Sequence, residues 1–533
     1  MNIIRLNSSS GEVIKSAGNT SSNNVRLQTK EVKIEQGGDL LVAPDVGYDG
    51  LKQVKIKAKF QGKSVNVTSE DVIEVTPDAG YSALSRVQVV PILQEKTIYK
   101  MGINGSLFVS ADSGNVGLSK VNIVKKEIED YLTIEALEDG LQVRTSISSY
   151  NNLEYCIDGN DEWVKLRSGT YTPSVNAGQK ISFRASAKKA LSSSEGIGTF
   201  TISHKCNVLG NIMSLVGGDD NSITTVNEYH FKYLFKGCKT IISCKNLLLP
   251  ATTLDWNCYQ GMFDGCTSLV DTPTLPATTV ANYCYSGMFA GCTSLVNAPA
   301  LPATILKLKC YSSMFSGCTS LVNAPELPAA SLYDSCYSHM FYGCTSLTTA
   351  PELPATTLAR ECYMSMFEKC SKLVNPPTLP ATTLEDGCYY SMFFDCTSLV
   401  TAPALPAIPL KDRCYYNMFY NCTSLVNAPE LPAASLKDRC YGYMFYSCKL
   451  LVNAPELPAT TLKDRCYDHM FAYCNKLNYI KAMFTTTPSA TYTEDWVRGV
   501  SSTGTFVKNS VATWNVTGIN GIPEGWTVEF ADA

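Results

Sequence analysis

Two cysteines eight residues apart recur nine times, and the whole unit returns every 26 residues without a slip. The first cysteines are Cys258, Cys284, Cys310, Cys336, Cys362, Cys388, Cys414, Cys440 and Cys466. The second are Cys266, Cys292, Cys318, Cys344, Cys370, Cys396, Cys422, Cys448 and Cys474. A unit this short cannot close a core of its own. It buries its apolar face only against its neighbours, which makes the array a solenoid. Solenoids present surface, so the pattern predicts a binding or scaffolding protein and not an enzyme.

Within a unit, Cys, Tyr, Met, Phe and Cys stand at positions 0, 1, 4, 5 and 8, as in Cys284, Tyr285, Met288, Phe289 and Cys292. The i, i+4, i+8 stripe with its i+1, i+5 neighbours predicts one buried helix face of two or three turns. Leu295 to Ala298 predicts a short strand. Pro299 and Pro302 then allow only edge or extended backbone. The expected fold class is multidomain: N-terminal all-β modules, then an α/β solenoid of parallel short strands plus short helices. Ten units at about 4.8 Å each predict a curved rod roughly 50 Å long.

The chain has 22 cysteines, and 18 of them sit at the two repeat positions. Eight residues of helix span about 12 Å, too far for a disulfide inside one unit. The spacing predicts a ladder of reduced, buried, structural thiols. A metal reading fails on spacing, because zinc sites use closer cysteine pairs, and the chain has four histidines. No metal and no cofactor are expected. Net charge is −4, which gives no basic footprint for nucleic acid. No stretch of about 18 apolar residues exists, so membrane insertion is not expected. Met1 to Lys30 is polar, Ser- and Asn-rich and lacks an apolar h-region, which predicts no secretory signal peptide.

Along the chain, 1–30 reads as an arm and 31–127 as three related β modules. Their turns hold Asp45, Asp78 and Asp112, followed by the alternating pairs Val54/Ile56, Val87/Val89 and Val121/Ile123. One Asp per turn is too few oxygens for calcium, so a turn role is expected. A β-sandwich-like domain follows over 128–205, an N-terminal cap over 206–229, repeats over 230–480, and a C-terminal cap over 481–533. Trp496, Trp514 and Trp526 are expected to cover the last repeat.

The unit Cys-Tyr-x-x-Met-Phe-x-x-Cys-Thr-Ser-Leu resembles the BspA-like class of leucine-rich repeat, common in gut Bacteroidota and their phages. The tail around Trp496 and Trp526 looks like that of the same proteins. The N-terminal units, as in Val75 to Leu84, are similar to modules of phage tail and fibre proteins. The resemblance implies a virion protein, a tail or head fibre or decoration, assembled in the bacterial cytoplasm. Its N-terminal region would meet other virion proteins, and its repeats a host surface protein or glycan, with a homo-oligomer possible. A bacterial cell-surface adhesin and a purely structural virion spacer are the alternatives. The adhesin would need an export signal.

Positions free of packing duty are where binding would be written. One follows Met-Phe and carries Tyr342, Phe394, Tyr420 and Tyr446; Tyr390, Tyr416 and Tyr443 lie nearby. These rings form a candidate ladder for sugar rings or an apolar partner. The plainer reading has them covering the layer beneath or packing on another subunit. Lys411-Asp412-Arg413 and its copies at 437–439 and 463–465 read as a solvated lattice or a polar docking stripe. Asn297, Asn323, Asn375, Asn427 and Asn453 read as an amide ladder along the rod. His204, His230, His339 and His469 match no catalytic order.

Overall fold

The structure is a computed structural model. It describes the strands of the first 128 residues, then 131–531 apart from 147–151, 159–161, 186–190, 192–198 and 221–222. The chain divides into two units, Met1–Ile128 and Glu129–Ala533.

In the first unit, three parallel strand pairs recur: Leu27–Lys33 with Gly50–Lys57, Phe60–Asn66 with Ala83–Val90, and Leu93–Tyr99 with Gly117–Val124. Each pair slips register after its second residue. The second strand of each pair carries the alternating residues singled out above. The first strand had no comparable signal. Asp45, Asp78 and Asp112 lie outside the described residues. The arm is not wholly an arm: Ile4–Leu6 pairs antiparallel with Leu40–Val42.

The second unit begins with a sheet in the order Val164–Lys165, Glu154–Ile157, Lys180–Arg184, Leu132–Ala136, Cys206–Asn211, Ile241–Ser243. A smaller antiparallel pair, Val143–Thr145 with Phe200–Ile202, belongs to a second sheet. Leu132, Ile134, Ile181 and Phe183 alternate inward and are fully buried. The boundary expected at 205/206 does not separate anything. Cys206–Asn211 pairs antiparallel with Leu132–Ala136 and parallel with Ile241–Ser243, so one sheet runs from the β region into the first coil. Phe200 packs 5.5 Å from Phe235, ring centre to ring centre. The β region itself therefore seals the apolar end of the array, as a terminal repeat must be sealed.

The helices expected in the repeats are absent, and the reason is the period. In the coil of Cys284, the N–H groups of Cys284, Ser286, Met288, Ala290 and Cys292 each donate to the carbonyl three residues back. The alternate N–H groups of Tyr283, Tyr285, Gly287, Phe289 and Gly291 donate to Leu308, Cys310, Ser312, Met314 and Ser316 of the next coil, at 2.6–3.0 Å. An α-helix would keep all of these bonds inside one segment. Backbone φ turns positive at every fourth residue: 57° at Tyr283, 61° at Gly287, 67° at Gly291. The segment is a run of linked turns with a period of four. A period of 3.6 would rotate Cys292 about 80° away from Cys284. A period of four keeps Cys284, Met288 and Cys292 in line.

A non-glycine residue in this left-handed conformation costs about 1–2 kcal/mol. Lys309, Glu361, Arg413, Arg439 and Arg465 all adopt it. The bonds between coils offset that cost, since each N–H that leaves its own coil finds a carbonyl in the next. The expected strand is likewise shorter than a strand. Contacts on that side are isolated parallel bridges, Asn297 to Asn323, Thr349 to Asn375 and Thr401 to Asn427. Pro299 and Pro302 follow at once and supply no donor, so the pairing cannot lengthen.

Side chains stack as the backbone does. The buried Tyr rings at position 1 lie 5.7–6.2 Å apart from Tyr259 to Tyr467. The Phe rings at position 5 lie 5.6–5.9 Å apart from Phe263 to Phe471. The second cysteine has a specific task. Its S–H donates to the Phe carbonyl of the preceding coil, as Cys318 does to Phe289 at 3.1 Å. The same carbonyl accepts the backbone N–H of Cys292. An apolar residue of similar size would fill the space and leave that second bond unmade. Met366 is fully buried in mid-array. Met366→Ala is expected to cost about 2–5 kcal/mol as a core cavity. Denaturant unfolding checks this, and a neutral result would mean that the methionine stripe carries no packing.

Beyond the last cysteine the stacking continues. Tyr479–Ala482, Thr505–Lys508 and Thr527–Phe530 form a parallel sheet. Trp496 takes the methionine place of a further coil: Phe471 N–H donates to its carbonyl as Phe445 N–H donates to that of Met470. Trp496 lies over Tyr467 and Phe471, while Trp514 stacks on Phe484 one step further out.

Candidate binding surface

The seven aromatic residues singled out in the sequence fall into three sets. Phe394, Tyr420 and Tyr446 stack nearly flat, with centroids 4.3 and 4.4 Å apart and planes within 6°. Tyr390 and Tyr416 stack at 5.3 Å, and Tyr443 tilts by 52° onto Tyr416. Tyr342 stands apart, two coils before Phe394, with Glu368 between them in the register; its hydroxyl accepts a bond from Lys369 Nζ at 2.6 Å. Geometry restricts what the ladder can do. A sugar ring stacks on an aromatic face. In the triplet Tyr420 has a ring on both faces, and Tyr473 closes the far side of Tyr446 edge-on at 5.3 Å. Beyond ring edges and hydroxyls, the triplet offers the far face of Phe394, where the same place one coil earlier holds Glu368 and no ring lies among the described residues. Burial, helped by the neighbouring Tyr446, pushes the Tyr420 hydroxyl up to about 12.

The charged copies at 411–413, 437–439 and 463–465 are more ordered than a solvated lattice. Asp386, Asp412 and Asp438 stand one coil apart at the same position, followed by Asp464. The carboxylate of Asp386 accepts the backbone N–H of Asp412, and Asp412 accepts that of Asp438, each at 3.2 Å. Asp334 and Asn282 do the same for Arg360 and Leu308. A side-chain acceptor at this place closes a backbone donor between coils, which explains why Asp and Asn recur there. Ion pairs are sparser: Lys411 with Glu385 at 3.2 Å, and Arg439 with Asp464 at 4.0 Å.

Beside these aspartates lies an open groove of about 710 Å³, lined among others by Met364, Gly387 and Tyr390. Its charged residues are Arg360, Arg413 and Arg439 against Glu361, Asp386, Asp412, Asp438 and Asp464, three positive and five negative. Position −1 changes from coil to coil along the groove: Glu361, then Gly387 with no side chain, then Arg413 and Arg439.

The amide ladder is one rung. Asn323 Nδ2 donates to Asn297 Oδ1 at 3.2 Å, whereas Asn375 and Asn427 bridge to Thr349 and Thr401. A cluster without a sequence signature closes the aromatic face. His469 stacks on Tyr443 at 4.4 Å, bonds through Nδ1 to the buried Asp468, and has Nε2 3.6 Å from Asp495. Burial pushes the Asp468 carboxyl up. Only the shared place of His339 and His469 in the repeat pointed there. Among the described residues no group of His, Cys, Asp or Glu is set to hold a metal ion, and no helix is long and apolar enough to cross a membrane.

The BspA type leucine-rich repeat region matches in six copies, over 220–348, 285–425 and 412–493. A solved leucine-rich repeat protein from Bacteroides ovatus is 14% identical, covering 66% of this chain and 95% of its own, with a TM-score of 0.30. The TLR13–ssRNA13 complex is 13% identical over 58% of this chain and 35% of its own, with a TM-score of 0.21. No curated protein sequence matches. The family match carries the weight: it spans the stacked coils and extends to Thr493, into the further coil. Repeats of this type mark a repeat protein of the surface or adhesion kind. The chain belongs to the BspA type of leucine-rich repeat protein.

Proposed function

We propose that this chain is a virion structural protein, a tail or head fibre or decoration, that presents its repeat array for attachment to a host surface protein or glycan. Its N-terminal modules would join it to other virion proteins. The observation that carries the attachment role is the division of labour within each coil. Positions 0, 1, 4, 5 and 8 are at most 2% exposed from Cys258 to Cys474. The half-buried place after Met-Phe varies freely, as Asp264, Ala290, Ser316, Tyr342, Glu368, Phe394, Tyr420 and Tyr446, and only in the last coil, at Ala472, is it fully buried. A scaffold held constant beneath a surface that changes is what a recognition array needs. The virion setting rests on the N-terminal units and their likeness to tail and fibre modules. The family match favours a second reading, a bacterial cell-surface adhesin.

Mass spectrometry of purified phage particles beside the envelope fraction of the source bacterium separates the two. The expected result is the chain at stoichiometric level in the particles. Its presence only in the envelope would overturn the virion reading and favour the adhesin.

A further inference from the structure

The groove at Gly387 has the parts of a saccharide site. Tyr390 opens its stack: Tyr416 covers one ring face, and the same place one coil earlier holds Met364, which lines the groove with it. No ring covers that other face among the described residues. Beside it, Asp386 and Asp412 are each tethered through one oxygen by a backbone N–H of the next coil. Their second oxygens have no partner among the described residues. The guanidinium of Arg413 makes no ion pair there either, although it lies close enough to Tyr390 to oppose the upward push of burial on that hydroxyl. An apolar ring face flanked by fixed acceptors and a planar donor fork is what a pyranose requires. Its C–H face stacks while its hydroxyls donate to carboxylates and accept from guanidinium.

We infer that this groove binds an uncharged oligosaccharide, one ring stacked on Tyr390 and its hydroxyls shared among Asp386, Asp412 and Arg413. Charge selects the class. Five carboxylates against three arginines leave the groove net negative, which repels a polyanion, while hydroxyls satisfy both signs of group at once and a cation satisfies only the carboxylates. This site deepens the attachment reading and rests on it. It also places a sugar contact apart from the Phe394–Tyr420–Tyr446 ladder, in which Tyr420 has a ring on both faces.

The test titrates the full chain by calorimetry with maltohexaose, laminarihexaose, chitohexaose and mannohexaose, beside polygalacturonate and hexalysine. Two variants accompany it. Tyr390→Ala removes the ring face. Gly387→Arg places in the gap the residue that Arg413 and Arg439 put there at the same backbone conformation, φ 59° against 54° for both. The coil should therefore keep its fold, and an unchanged melting temperature checks that. At least one neutral hexasaccharide is expected to bind, and each variant to weaken it about tenfold or more. Binding by none of the four, binding by hexalysine or polygalacturonate alone, or full affinity in Gly387→Arg would each overturn the site. Adsorption of the full chain to host envelopes is measured in parallel. Adsorption that persists in Gly387→Arg sinks the groove and leaves attachment standing, while no adsorption of the wild-type chain counts against attachment itself.

Discussion

In the native protein a thiol reagent should label Cys156 promptly and leave the other 21 cysteines until the fold opens. All 22 are thiols, and Cys156 is the one that is not buried. Two effects act together on the rest. Burial keeps the reagent out, and it also raises the thiol pKa, because a thiolate loses its hydration and gains nothing in an apolar ladder. Cys310, Cys370 and Cys414 are pushed from 9.0 to about 12. Three pH units lower the reactive thiolate fraction about a thousandfold at neutral pH, before access is considered. A quenched iodoacetamide time course with peptide mapping, with and without guanidinium, reads the result. Prompt labelling of several ladder cysteines in the native state would sink the packing argument. It would mean that coils open individually on the timescale of the reagent.

The same residues show how far the sequence could be read. Period, register and core were open to inspection, because Cys, Tyr, Met, Phe and Cys return every 26 residues and each is buried where the pattern put it. The backbone between them was not. A stripe at 0, 4 and 8 fits both a helix and a run of turns of period four. The deciding signal is the left-handed residue at every fourth place. Glycine announces it at Gly287 and Gly291, but Glu361, Ser365 and Lys369 hide it in another coil. Those residues adopt the conformation because the neighbouring coil takes up their N–H groups, a tertiary cause invisible to local propensity. The β region gave the same lesson. Its strands were legible one by one, but Cys206–Asn211 joins a sheet whose other members lie far apart in sequence, Leu132–Ala136 and Ile241–Ser243. The aromatic ladder was legible as a set of neighbours, but spacing brings Phe394, Tyr420 and Tyr446 together without revealing that stacking covers both faces of Tyr420. The groove gathers residues of successive coils from Arg360 to Asp464, and no single unit of the sequence announces it.

Alkali should unfold the repeat array over a narrow range just above pH 9. The sign follows from linkage. Each buried thiol has a folded-state pKa raised above its unfolded value, so the unfolded chain binds fewer protons once the pH exceeds that value. The stability each thiol contributes is full below about pH 9 and is lost as the pH rises towards about 12. At about pH 10 a single thiol has lost on the order of 1 kcal/mol. All 21 buried cysteines are shifted upward by burial, so the loss accumulates along the ladder and acts on every coil at once. The nine buried tyrosines from Tyr259 to Tyr467, raised well above 10.0 by the same burial, add to the loss at higher pH. Because coils couple to their neighbours through backbone bonds and stacked rings, they should go together. Circular dichroism and tyrosinate absorbance, followed in one titration, separate cause from consequence. The expected result is loss of structure between about pH 9 and 10.5, with the buried tyrosines ionising in step with unfolding, and recovery on return to neutral pH under reducing conditions. A fold intact at pH 12, or tyrosines that ionise while the circular dichroism stays native, would show that water reaches the ladders without opening them.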